Sequence, residues 1–176
     1  MVLTTHMSKH TVRRLTSAAA IVGGSLGATF SGTSVASAAA PGTAGLDPVL
    51  ATAYTEAATA AHAQGVPLSV TSGRRSVAEQ RRLWRTAIAT YGSPAAARRW
   101  VLPPEESTHV TGHAIDVVPR QGATWLQTQG YRWGLCRTFV NEWWHFEVVT
   151  IPGRRCPAMW PDAAARVNAM PGIYRR

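Results

Sequence analysis

The apolar residues of this chain repeat at helical spacing up to about residue 100 and at a spacing nearer two beyond it, and that change of period limits its fold most. Asp47-Pro48 supplies an N-cap and a first-turn proline, Gly65 supplies a stop, and Leu50, Ala53, Tyr54, Ala57 and Ala61 between them share one helical face. Pro67 follows, and Leu68 to Thr71 reads as a short strand ended by Ser72-Gly73. Ser76-x-x-Glu79 opens a second helix as a capping box, with Trp84, Ala87, Ile88 and Tyr91 as its apolar stripe and Gly92 as its end. Arg81, Arg82 and Arg85 lie on another arc and read as a solvated face. A short helix is expected from Pro94 to Trp100, then an extended loop at Pro103-Pro104. Beyond it, His113 to Val118 reads as a strand, Thr124 to Gln129 as one helical turn, Tyr131 to Leu135 as a strand or its approach, and Trp143 to Thr150 as the clearest strand. Helices first and hairpin-like strands later predict an α+β domain, an antiparallel sheet flanked by helices.

The first 40 residues belong to a different pattern. Lys9, Arg13 and Arg14 precede a small and apolar run from Ala18 to Phe30, and Ala36-Ser37-Ala38 supplies an Ala-x-Ala site. This is the form of a secretory signal peptide, so residues 1–38 are expected to be cleaved and 39–176 to be one exported domain. No stretch offers 18 uninterrupted strongly apolar residues, which excludes a polytopic membrane protein and leaves no stable span after cleavage. The +9 net charge first suggests a polyanionic partner such as nucleic acid. Cleavage removes three cations and no anions, leaving +6 with every cation an arginine, and no nucleic-acid motif accompanies it. The excess suits the anionic polymers of a cell wall. In an exported chain the two cysteines, Cys136 and Cys156, are expected to form one disulfide, stabilising by about 3 kcal/mol through closure of its loop.

Three polar clusters flank the expected strand ends: Ser72 to Ser76, Ser107 to Asp116, and Glu142 to Glu147. His109, Asp116 and His145 offer two imidazoles and a carboxylate, a set that suits zinc and leaves the fourth tetrahedral position for water. Glu142, three residues before His145, is the candidate general base. His109 and His113 have the i, i+4 spacing of a zinc-protease helix, but Val110 stands where that motif needs glutamate and Gly112 disfavours a helix; His113 is read as a neighbour. Glu147 shares a strand face with His145 and is read as a group orienting that ligand, with a surface ion pair as the competing role.

The same clusters, in the same order, resemble the zinc D,D-peptidases of the VanY and D-alanyl-D-alanine carboxypeptidase family, whose motifs run S-G-Y-R-S, S-x-H-x-x-G-x-A-x-D and E-x-W-H. Ser107, His109, Gly112, Ala114 and Asp116 complete the second motif; Glu142, Trp144 and His145 complete the third. Arg74 stands at the tyrosine position of the first, which places the family's catalytic arginine on Arg75, and Trp143 replaces a common proline. The resemblance covers residues 45–150. It implies one Zn2+ per chain on His109, Asp116 and His145, Glu142 as base and then acid, and Arg75 steadying the oxyanion. Ser107 and Gln80 are implied substrate contacts, and Trp144 supports the ligands with Glu147. The implied fold is the Hedgehog/D,D-peptidase type, and the implied substrate is a peptidoglycan stem peptide, cut at D-Ala–D-Ala. L-alanyl-D-glutamate endopeptidases and D,D-dipeptidases share this core. A noncatalytic wall-binding zinc module is the alternative of another class, against which Glu142 and Arg75 both speak, because a structural metal needs neither. Cys136 and Cys156 bracket Glu142 and His145, so their bridge is expected to brace the site.

Overall fold

A computed structural model of the chain describes residues 38–170, so the expected leader lies, but for its last residue, outside the described residues. The elements are α1 (Pro48–Ala63), β1 (Ser69–Ser72), α2 (Val77–Tyr91), α3 (Pro94–Ala97), β2 (Ile115–Val118), α4 (Arg120–Gln129), β3 (Leu135–Arg137), β4 (His145–Val148) and α5 (Ala163–Ala169). The strands form one antiparallel sheet in the order β1-β2-β4-β3. This is the expected α+β class with helices on an antiparallel sheet. The expected caps are present: Asp47 accepts from the backbone N–H groups of Val49 and Leu50, and Ser76 accepts from that of Glu79.

Side chains alternate across a strand, and here the alternation divides apolar from polar. Ile115 and Val117 of β2, Leu135 of β3 and Phe146 of β4 pack with Leu50, Tyr54 and Ala57 of α1 and with Ala123 and Leu126 of α4. The intervening residues, Asp116, His145 and Glu147, are directed to the other face. That face carries a smaller apolar cluster of Leu102, Phe139 and Ala163, with Trp160 and Val167 against it.

Five expectations are corrected. Thr124 to Gln129 is not one turn but the end of the ten-residue α4. Gly122 hides the helix by reading as a breaker; it is needed because a Cβ there would overlap the Pro67 carbonyl. Tyr131 to Leu135 is mostly a 3-10 turn, Gly130–Trp133, and β3 begins only at Leu135. The clearest expected strand, Trp143 to Thr150, is shortened to His145–Val148, and that expected from His113 begins at Ile115. The α2 stripe is not a core stripe: among its four residues only Ala87 is buried, and Tyr91 stacks on Trp100 at 6.0 Å. This helix packs against α3 at the side of the site, not on the sheet. Finally, α5, capped by Asp162 accepting from the Ala165 N–H at 2.9 Å, was not anticipated.

Candidate metal centre and active site

Two neighbouring strands and one tight turn build the site. Asp116 of β2 pairs in register with His145 of β4, so the carboxylate and the imidazole emerge side by side on the polar face. His109 comes from the turn before β2. Gly112 makes this turn possible: its φ is +79°, and a Cβ would lie 2.9 Å from the Gly45 carbonyl. The Gly112 carbonyl accepts from the Asp47 N–H at 2.9 Å, which ties the turn to the cap of α1.

The three groups converge. Asp116 Oδ1 lies 3.3 Å from both His109 Nε2 and His145 Nδ1. Ligands of a tetrahedral ion with bonds near 2.0 Å sit about 3.3 Å apart, so the triangle fits zinc. Asp116 Oδ1 is also buried and, among the described residues, has no hydrogen-bond partner, which is what a ligand oxygen facing two imidazole nitrogens would show. The opposite ring nitrogens are fixed. His109 Nδ1 donates to the Gly73 carbonyl at 2.8 Å, and His145 Nε2 donates to Glu147 Oε1 at 2.8 Å. Each imidazole therefore directs its other nitrogen at Asp116, with the ring orientation set from behind.

The electrostatics show a pocket that favours a cation. Burial opposes a charged His145, yet Asp116, Glu147 and Glu142 outweigh it and push its pKa up to about 10. Burial lowers His109 and keeps it neutral, against the pull of Asp116. For Asp116 burial acts upward, but the two imidazoles hold it well below the usual carboxylate range. Glu142 is 5% exposed, and its Oε2 is 3.6 Å from His145 Nδ1. Burial raises its carboxyl to about 7, where it can both take and release a proton near neutrality.

Arg75 closes the other side. Its Nη2 donates to Asp116 Oδ2 at 2.6 Å, Nε to Ser72 Oγ at 2.8 Å and Nη1 to Gln80 Oε1 at 3.2 Å. A guanidinium has five N–H groups, and these contacts use three of them. Gln80 is buried, and its Nε2 donates to the Leu102 carbonyl at 2.8 Å, so its amide braces Arg75. Ser107 and Trp144 line the same cavity of about 230 Å³ as Arg75, Glu142 and the three candidate ligands. His113 stands apart and exposed, 3.6 Å from Asp47. Glu147 lies in the layer beneath, 5% exposed, where Thr108 Oγ1 donates to it at 2.9 Å. Cys136 and Cys156 are bonded, and Cys136 is the cross-strand partner of Glu147. Sequence reasoning missed Arg166 of α5, which donates to Glu147 from 2.8 Å. Its signal was Pro161-Asp162 before three alanines, a helix start.

A buried two-histidine, one-carboxylate triangle that could hold a metal ion, with a carboxyl beside it, lines one cavity on an antiparallel sheet. The chain belongs to the VanY family of D-alanyl-D-alanine carboxypeptidases, which its residues 43–150 match. Among solved structures it is similar to a mutant of the vancomycin-resistance D,D-pentapeptidase VanY in complex with Zn(II), at 27% identity and a TM-score of 0.54 over 59% of this chain and 73% of that one. It is likewise similar to VanYB in complex with D-alanine-D-alanine, at 26% identity and a TM-score of 0.55 over 60% and 72% of the two chains. DacB of Streptococcus pneumoniae gives 25% identity and a TM-score of 0.51 over 62% and 69%. No curated protein sequence matches significantly. By family and fold the chain is a cell-wall peptidase.

Proposed function

We propose that the chain is an exported zinc D,D-carboxypeptidase that removes the terminal D-alanine of peptidoglycan stem peptides. The observation that carries this reading is the His109–Asp116–His145 triangle with Glu142 beside it, in a family whose members act on D-Ala-D-Ala. Zinc on those three residues would supply Lewis-acid polarisation of the scissile carbonyl and a water acidic enough to deprotonate near neutral pH. Glu142 takes the proton of the attacking water and returns it to the leaving amine, which its raised pKa suits. Arg75 keeps Asp116 in place through Oδ2 and offers its remaining N–H groups to the oxyanion as it forms. Ser107 hydrogen-bonds the substrate within the cavity. Residues 1–38 act as the export signal, and the exposed arginines of α2 favour retention on anionic wall polymers, an attraction that salt weakens. Among the described residues no helix is long and apolar enough to cross a membrane.

The test is mass spectrometry of defined stem peptides incubated with the purified chain, zinc-loaded and chelator-treated. Release of one terminal D-alanine, abolished by chelation and restored by zinc, is expected. Cleavage between L-alanine and D-glutamate would move the chain to the endopeptidases, and no cleavage of any peptide would favour a wall-binding module.

A further inference from the structure

The match to the family ends at residue 150, but the site does not. Residues 156–170 lie against the polar side of the molecule at three attachments. Cys156 is bonded to Cys136. The Val140 N–H donates to the Trp160 carbonyl at 2.9 Å, and the Trp160 N–H donates to the Thr138 carbonyl at 3.0 Å. Asp162, which caps α5, accepts from Arg99 Nε at 2.8 Å. From the helix so anchored, Arg166 projects inward and is 4% exposed. Its Nη1 donates to Glu147 Oε1 at 2.9 Å and to Oε2 at 2.8 Å. The guanidinium lies 4.6 Å over the Phe139 ring, and that ring lies 4.9 Å from the His145 ring.

We propose that Arg166 is a positioning residue for His145, acting through Glu147, so that the strap outside the matched region completes the metal site. The inference rests on the metal-centre reading above. His145 offers Nδ1 to the cavity only while Nε2 carries the proton and the ring keeps its plane, and Glu147 Oε1 is what fixes both. A carboxylate buried that deeply needs a cation, and the Thr108 hydroxyl brings no charge and contacts one oxygen only. Arg166 supplies the charge and, by touching both oxygens, stops the carboxylate from rotating. Its packing on Phe139 couples the same guanidinium to the imidazole through that ring as well.

Zinc affinity, measured by chelator competition on the metal-stripped chain, tests this without recourse to activity. Arg166→Met is expected to weaken zinc about 10- to 100-fold, the usual effect of losing a group behind a ligand. Because one nitrogen makes both contacts, Arg166→Lys should recover part of that loss and guards against a variant that merely fails to fold. In a Glu147→Gln background, Arg166→Met should add less than about twofold, since the two residues act as one unit. Arg166→Met binding zinc within about twofold of the parent chain would overturn the positioning role, as would equal losses in both backgrounds. A parent chain that binds no zinc would overturn the metal reading itself and the inference with it.

Discussion

The two faces of the sheet are built from the same strands, β2, β3 and β4, and could hardly differ more in content. Towards α1 and α4, Ile115, Val117, Leu135 and Phe146 meet other apolar side chains. Towards α5, the alternate residues Asp116, His145 and Glu147 are also buried, yet each is polar and two of them are carboxylates. Burying charge without partners is costly, so the second face has to be satisfied by a network. Arg75 answers Asp116 and Arg166 answers Glu147, while Asp116 Oδ1, among the described residues, has no hydrogen-bond partner. The difference teaches that one face is there for stability and the other for chemistry, although a single residue separates them along the chain.

Substitutions that act on one face alone should break or sharpen this division. The largest effect is expected from Glu142→Gln, which keeps the shape of the side chain but cannot accept the proton. kcat should fall about 10²- to 10⁴-fold with zinc affinity retained, measured on a stem-peptide substrate. Next comes the strap: replacing both cysteines by alanine should cost about 3 kcal/mol in denaturant unfolding. Activity should fall before the global transition, because the segment holding Arg166 loosens first; activity unchanged in reduced, folded protein would remove the bracing role. The smallest effect belongs to Ile115→Val, about 0.5–1.5 kcal/mol of stability. Its neighbour Asp116 faces the other way, so zinc affinity should not change, and a parallel loss of affinity would show that the faces are not separable.

Most of the site was legible in the sequence because it depends on residue types at fixed offsets. His109, Gly112 and Asp116 share one turn and strand, and Glu142 and His145 another, so spacing carried their relation. The caps of α1 and α2 were legible for the same local reason. The register that sets Asp116 beside His145 joins residues 29 apart, a relation no local pattern expresses. Gly122 misled because its packing against Pro67 is invisible from the chain, and the bracing of Arg75 by the Gln80 amide, itself held by the Leu102 carbonyl, is set by the fold. Arg166 was missed since its partner, Glu147, lies 19 residues away on another element.

The central claim is that the polar face holds one zinc ion on His109, Asp116 and His145. Calorimetric titration of the metal-stripped chain with zinc tests it most directly. The account predicts one ion per chain in the parent and in Ile115→Val, and loss of that binding in Asp116→Ala. Binding undiminished in Asp116→Ala, or no binding in the parent, would contradict it.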